Sequence, residues 1–253
     1  MRPCSRRSSV PVLLLLALML CTPSLGAQEE VDSWHTQLEL GLNAASGNSS
    51  FSVLRTGGSI KYLRTDVAEF ELSTLFRYGK NESTVISDDL RGSAKFDWHP
   101  QSDFSPFLYL AARRDPIRKI DAKLDGGLGA KWTFLRRGET KMSLSTAGVL
   151  DYENFRVDAG STDAESEGVF RISFRLKFDH QFGSGATFNH VTFWQPEAAN
   201  FGDYNIEMTN SVSTKLLSKL ALALEHEYLH DEVPPAGVKP NDQKFSAVLR
   251  VIL

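Results

Sequence analysis

The stretch FRISFRLKFDHQF, residues 170–182, alternates between two kinds of side chain along its whole length. Its even positions are apolar, apart from His180, and its odd positions are charged or polar. Successive side chains of a β-strand point to opposite faces of a sheet, whereas a helix repeats about every 3.6 residues. The pattern therefore predicts a strand with one apolar face and one charged face.

The same alternation recurs from residue 34 to the end of the chain, broken by Gly, Asp, Asn, Ser or Pro. Segments 105–114 and 186–195 are apolar on both faces, so the pattern does not define which of their side chains point outward. We predict twelve strands, at 34–43, 52–64, 67–79, 88–99, 105–114, 120–134, 140–153, 169–182, 186–195, 203–216, 219–230 and 243–253.

Three features favour a membrane barrel. The polar faces carry many charges of both signs. Several connections after odd-numbered strands are long, at 80–87, 154–168, 195–203 and 231–242, which is the phase expected of outer-membrane barrels. Aromatic residues lie near strand ends, where lipid headgroups lie in a membrane. The predicted interfacial aromatic girdle comprises Trp34, Tyr62, Tyr78, Trp98, Trp132, Tyr152, Trp194, Tyr204 and Tyr228.

The predicted fold class is all-β, an antiparallel up-and-down transmembrane β-barrel of about twelve strands. One alternative stays open, because the strands of soluble barrels also alternate between apolar and polar side chains. It is a soluble periplasmic lipocalin-like β-barrel that binds a small apolar ligand, and it requires the apolar faces to point into the barrel.

The start of the chain has the features of a secretory signal peptide. Three arginines precede an apolar core at 12–20, and small residues follow before a cleavage site near Ala27. We therefore divide the chain into a signal peptide at 1–27 and an outer-membrane β-barrel domain at 28–253. The predicted location after cleavage is the outer membrane of a Gram-negative cell.

The charged faces of the predicted strands would line the inside of a membrane barrel. Twelve strands enclose a narrow space compared with the 16–18 strands of porins, so long side chains of both signs can reach across and pair. Two interpretations remain, an ion-paired, plugged interior or a narrow, weakly selective water-filled pore. The predicted lumen-facing charges are Glu39, Arg55, Glu71, Arg77, Asp89, Arg91, Lys95, Asp97, Asp121, Lys123, Asp125, Lys131, Arg171, Arg175, Lys177, Asp179, Glu225 and Glu227.

The motif HEYLH at 226–230 matches the zinc-peptidase pattern H-E-x-x-H. On a helix, His226 and His230 would share one zinc ion. On a strand they lie about 13 Å apart, and Glu227 points to the other face. The alternation through 219–230 predicts a strand, so we expect no metal site here.

Some twelve-stranded barrels are lipases with a Ser/His couple on the outward face. The hydroxyl and histidine residues predicted to point outward here form no visible nucleophile–base pair. They are Thr36, Thr74, Thr146, His180 and His226. We therefore predict a non-enzymatic protein without a cofactor.

The expected partners follow from the predicted location. Outer-membrane lipid would surround the barrel, and Arg113, Arg114 and Asp115 lie near a predicted rim, where they could touch lipopolysaccharide phosphate as well as act as ordinary rim charge. The last strand is apolar on alternate positions up to Leu253, which resembles the signal read by the barrel-assembly machinery. The formal net charge of −3 does not suggest a nucleic-acid partner.

Three stretches resemble the salt-induced outer-membrane protein family, which is described mainly as a domain of unknown function. They are LGLNAASGNSS at 40–50, the run from DPIRKID to GGLGAKW at 115–132, and the loop DEVPPAGVKPND at 231–242. Their order and spacing extend the resemblance over nearly the whole mature chain. It implies a Gram-negative outer-membrane β-barrel with no known catalytic residues, and its link to salt concerns induction.

Overall fold

A computed structural model describes residues 32–45, 51–64, 67–156, 166–183 and 185–253. The predicted signal peptide at 1–27 lies outside the described residues. Among the described residues, no helix is long and apolar enough to cross a membrane.

The described residues form twelve strands, which pair in chain order and close into one antiparallel barrel. The prediction of a twelve-stranded up-and-down barrel is confirmed. A short 3₁₀ turn, Pro116–Arg118, connects two of the strands. The strands are β1 Asp32–Ala45, β2 Phe51–Arg64, β3 Ala68–Asn81, β4 Thr84–Trp98, β5 Phe104–Asp115, β6 Ile120–Arg137, β7 Thr140–Phe155, β8 Ser166–Gln181, β9 Ala186–Pro196, β10 Tyr204–Leu217, β11 Leu220–Asp231 and β12 Asn241–Ile252.

The barrel closes where the first and last strands meet. β1 pairs with β12, with Leu38 opposite Val251 and Leu40 opposite Leu249. Beyond this ladder, the backbone N–H of Leu253 donates to the carbonyl of Thr36 at 2.9 Å. This ladder and the Leu253–Thr36 contact give Gln37–Leu40 of β1 and Leu249–Ile252 of β12 hydrogen-bond partners across the seam, as a barrel in lipid requires.

The two ends of the barrel differ in their connections. The turn end of the barrel holds the start of β1, the end of β12 and the connections after even-numbered strands. The opposite end is called the loop end. The connection after β3 is shorter than predicted, because β3 and β4 extend through most of 80–87 and leave a two-residue turn. Glu82 makes this turn with a positive φ of 52°.

The structure also shows which side chains of β5 and β9 point outward, which the sequence left undefined. On β5, Phe107 and Ser105 are buried inside, whereas Leu108 and Leu110 are exposed on the outer wall. On β9, Trp194 lies opposite the outward Phe174 of β8, so the even-numbered residues of β9 point outward.

A glycine allows β6 and β7 to approach closely. A Cβ atom on Gly129 would lie 2.2 Å from the carbonyl oxygen of Thr146 and 2.6 Å from the Cβ of Ala147. On Gly126 of the same strand, a Cβ would meet only the Leu110 side chain at 3.4 Å, within ordinary contact. The two glycines therefore offer a matched pair of sites.

We expect Gly129→Ala to lower the free energy of unfolding by about 1–3 kcal/mol, because backbone must move to admit the methyl group. The measurement is the urea midpoint of the purified barrel in detergent. Gly126→Ala is the control and should leave the midpoint nearly unchanged. Equal midpoints for the two variants would show that the approach at Gly129 is not tight.

Candidate functional site

The outer wall of the barrel is apolar and the inside is charged. Leu128, Leu150 and Phe245 are 63%, 69% and 71% exposed on the outside, whereas Asp89 inside is 0% exposed. A lipocalin-like barrel needs the opposite arrangement, with apolar side chains around an internal ligand. The structure therefore does not favour the soluble alternative.

The nine predicted girdle residues point outward and lie near the ends of their strands. At the turn end lie Trp34, Tyr62, Trp98 and Trp132, and at the loop end lie Tyr78, Tyr152, Trp194, Tyr204 and Tyr228. Some of them contact each other or a neighbouring ring. Trp34 packs on Tyr62 with ring centroids 4.8 Å apart, and Tyr204 stacks on His230 at 5.4 Å. Two aromatic levels thus lie at opposite ends of the outer wall.

Glu227 of β11 is the centre of an ion-pair cluster inside the barrel. It contacts three arginines, Arg55 at 3.5 Å, Arg91 at 3.8 Å and Arg77 more closely. Arg91 is on β4, and four other strands lie between β4 and β11 along the wall. The contact therefore runs across the interior and not along the sheet.

Asp89 of β4 extends the cluster from the other side. Its Oδ2 lies 3.2 Å from Arg77, 3.7 Å from Arg91 and 2.9 Å from Lys244 of β12. Asp89 and Arg77 are both buried, so these contacts replace water for both groups. A buried charge is costly unless it is paired, and here each charge has an opposite partner.

A four-membered ring of charges completes the cluster. Arg55 lies 3.1 Å from Glu39 and 2.5 Å from Glu225, and Arg250 lies 3.0 Å from Glu39 and also contacts Glu225. The ring joins β1, β2, β11 and β12. We call the whole set, Glu39, Arg55, Arg77, Asp89, Arg91, Glu225, Glu227, Lys244 and Arg250, the Glu227 cluster.

A second set of ion pairs lies on the remaining strands. Arg113 of β5 reaches Glu207 of β10 at 3.3 Å and its neighbour Asp115 at 2.9 Å. On β7, Asp151 lies 2.8 Å from Lys123 and 3.2 Å from Arg171. The Arg113–Glu207 pair is again a contact between strands that are far apart along the wall.

An internal cavity of about 360 Å³ lies inside the barrel among residues of these strands. It is lined by charges of both signs, including Glu71, Asp125 and Arg175, and by the Phe107, Tyr109 and Phe193 rings. Toward the turn end, Lys95 pairs with Asp97 at 2.5 Å and Lys177 pairs with Asp179 at 3.1 Å, while Lys131 lies 3.9 Å from Asp97. Its lining residues belong to strands β3–β10 and are separate from the Glu227 cluster.

Asp121 is the exception among the predicted lumen-facing charges. The β6–β7 register shifts between Ile120 and Ala122, and this bulge turns Ile120 inward and leaves Asp121 exposed. Asp121 instead pairs with Arg156 at 2.6 Å on the surface. The other members of the predicted set lie on the inner face.

Several interior charges were missed or placed at the rim by sequence reasoning. Arg113 and Asp115 were weighed as rim contacts for lipopolysaccharide, but both are enclosed and paired inside. Arg118 is buried as well and lies 3.4 Å from Asp231 of β11. Arg114, in contrast, points outward and pairs with Asp88 at 3.2 Å. On β5, odd-numbered side chains point inward and even-numbered ones point outward, which separates Arg113 and Asp115 from Arg114. The sequence did not show this, because both faces of β5 are apolar.

The HEYLH motif lies on β11, a strand, as predicted. His226 and His230 lie on its outer face, whereas Glu227 points inside. His230 contacts Asn241 Oδ1 at 2.8 Å and Glu232 Oε2 at 3.0 Å. Within the described ranges, no group of three or more His, Cys, Asp or Glu side chains is arranged to hold a metal ion.

A closed antiparallel barrel with an apolar outer wall, aromatic rings at both ends and an ion-paired interior has the architecture of a transmembrane β-barrel. Within that class, the chain belongs to the family described as "Protein of unknown function, DUF481", whose sequence model matches residues 38–251. The search of curated proteins gave no match.

Solved structures similar to the chain include a porin, an autotransporter domain and an outer-membrane channel. The NanC porin is 9% identical, with 87% of this chain and 98% of that chain covered and a TM-score of 0.47. The translocator domain of the autotransporter NalP from Neisseria meningitidis is 10% identical, with coverages of 87% and 86% and a TM-score of 0.46. An outer-membrane channel from Pseudomonas putida F1 is 10% identical, with coverages of 90% and 99% and a TM-score of 0.42.

Proposed function

We propose that the protein is an outer-membrane β-barrel of the salt-induced type, exported by a signal peptide that is cleaved near Ala27. The protein is structural in the envelope, and the interior of its barrel is non-enzymatic and closed by ion pairs. The observation that carries this proposal is the Glu227 cluster, in which Arg77 and Arg91 contact Glu227 across the barrel. Charges paired in this way occupy the path that a solute would take.

The cavity of about 360 Å³ favours a second candidate, a narrow and weakly selective channel. Its lining mixes acids and bases, so neither sign of ion is strongly preferred. In this candidate, the side chains of the Glu227 cluster move apart to let small ions pass. The two candidates differ in whether the wild-type barrel conducts.

The proposed partners follow from the same architecture. Outer-membrane lipid contacts the apolar wall, and the barrel-assembly machinery inserts the chain through its last strand. Arg114 is the member of the predicted rim set that remains outward, and its side chain is 46% exposed near the loop end. It supports a proposed contact with lipopolysaccharide phosphate.

Planar-bilayer recordings test the closed interior. We expect the wild-type protein to give no reproducible conductance. The double variant Arg77→Ala/Glu227→Ala removes a cross-barrel pair without changing net charge, so its conductance should rise above that of the wild type. Steady wild-type conductance would overturn the closed interior in favour of the channel.

The matched control removes a surface pair in the same manner. Asp121→Ala/Arg156→Ala deletes one acid and one base that pair at 2.6 Å outside the barrel. Its conductance should equal that of the wild type. An increase equal to that of the Arg77/Glu227 variant would show that the effect comes from general loosening of the barrel.

A further inference from the structure

Four polar side chains form a row across the outer wall of β9, β10 and β11. Thr192 and His190 are two residues apart on β9, so they share its outer face. Asn210 of β10 lies directly opposite His190, and His226 of β11 lies directly opposite Asn210. The sequence did not show that His190 and Thr192 point outward, because both faces of β9 are apolar.

The row is connected by hydrogen bonds in a definite order. The Thr192 hydroxyl lies 2.9 Å from His190 Nε2, and His190 Nδ1 lies 2.7 Å from Asn210 Oδ1. Asn210 Nδ2 lies 3.4 Å from His226 Nδ1. One tautomer of His190 satisfies both of its ring nitrogens, with Nδ1–H donating to the Asn210 carbonyl and Nε2 accepting the Thr192 proton. The hydroxyl therefore faces the basic nitrogen of a fixed imidazole.

The surroundings of the row are apolar. Leu176 and Phe178 of β8 lie opposite Thr192 and His190, and Met208 of β10 lies opposite Thr192 on the other side. Polar side chains on a lipid-facing wall are costly and usually mark a function. Trp194, two residues further along β9, lies at the loop end, so Thr192 is about 7 Å along the strand from that aromatic level. Lipid ester groups lie near such a level.

We propose that Thr192, His190 and Asn210 form a catalytic site for hydrolysis of an acyl ester of a membrane lipid. A hydroxyl, an imidazole within hydrogen-bond reach and a third group that orients the imidazole are the parts that nucleophilic acyl transfer requires. The flanking Leu176, Phe178 and Met208 side chains would contact the acyl chain. The site lies on the outer wall and goes beyond the function proposed for the interior, although its substrate rests on the proposed membrane location.

The reaction proceeds in two balanced steps. Thr192 Oγ1 attacks the ester carbonyl carbon while His190 Nε2 takes its proton, and the C–O bond to the lipid alcohol breaks as His190 returns the proton to that oxygen. Water then attacks the acyl-threonine carbonyl, with His190 again accepting and returning one proton. A free fatty acid and a lyso-lipid leave, and Thr192 is regenerated.

His226 is a positioning residue in this site. It accepts a hydrogen bond from the Asn210 amide and stacks on Phe245 with ring centroids 4.6 Å apart. This contact keeps the Asn210 carbonyl directed at His190. Replacement of His226 by alanine should weaken hydrolysis less than replacement of His190, because His226 does not touch the ester.

The test measures the release of fatty acid from a phospholipid with a fluorogenic acyl chain. The full-length protein is purified in detergent for the assay. We expect the wild type to hydrolyse the probe, Thr192→Val and His190→Ala to lose at least about a hundredfold in rate, and Thr192→Ser to retain activity. Thr146→Val changes another outward threonine in the same way and should leave the rate unchanged.

A covalent label distinguishes this activity from a contaminating lipase. A fluorophosphonate probe should label the wild-type chain at Thr192, identified by mass spectrometry, and should not label Thr192→Val. Mobility on unheated gels reports whether each variant forms the closed barrel, independently of hydrolysis. A folded wild type that neither hydrolyses the lipid nor takes the label, or a Thr192→Val variant that does both, would overturn the catalytic site and leave the proposal for the interior standing.

Discussion

Replacement of Glu227 by alanine is expected to lower the free energy of unfolding by about 3–5 kcal/mol. The acid lies among three arginines inside the barrel, and its side chain is 10% exposed. Its removal leaves these cations without their shared partner in a place that water reaches poorly. The measurement is urea unfolding in detergent, followed by tryptophan fluorescence.

The control for this prediction is Asp121→Ala. Asp121 also pairs with an arginine, but the side chains of Arg156 and Asp121 are 53% and 41% exposed. Pairs exposed to solvent contribute about 0–1 kcal/mol, so the control should unfold close to the wild type. If Glu227→Ala were no less stable than Asp121→Ala, the cluster would not hold the barrel together.

Replacement of Leu128 by arginine should cost about 2–4 kcal/mol when the barrel unfolds from a lipid bilayer. Leu128 is 63% exposed on the outer wall and lies on β6 between the levels of Tyr152 and Trp132. In a membrane, this position is near mid-depth, where a guanidinium is far from both headgroup regions. Equilibrium folding into lipid vesicles measures the cost.

Leu124→Arg provides the matched control on the same strand. Leu124 lies directly opposite Tyr152, at the aromatic level near the loop end. An arginine there can reach the headgroups, so its cost should be about 0–1 kcal/mol. Equal costs at the two positions would mean that the outer wall does not lie across a lipid bilayer as proposed.

The strands and their order could be predicted from the sequence because alternation is a local signal. In FRISFRLKFDHQF, neighbouring side chains point to opposite faces whatever the rest of the chain does. Interior charges such as Arg171 and Lys177 follow from the same rule. Their partners do not follow, because a contact such as Arg77 with Glu227 depends on which strands face each other across the barrel.

Local irregularities account for the parts that sequence reasoning missed. A bulge at the start of β6 changes the parity of Asp121, and nothing in the alternating pattern predicts where a bulge occurs. The two apolar faces of β5 hid the inward direction of Arg113. Both faces of β9 are apolar as well, so the sequence did not show that His190 and Thr192 point outward. Their contact with Asn210 follows only from the pairing of β9 with β10.

The presence of a closed β-barrel in the outer membrane can be measured on isolated cell envelopes. The protein is separated by membrane fraction and run on SDS gels with and without boiling. We predict that it fractionates with the outer membrane and that the unheated form migrates faster than the boiled form, because a closed barrel resists SDS. A soluble periplasmic band whose mobility does not change on boiling would show that the protein is not a closed outer-membrane barrel.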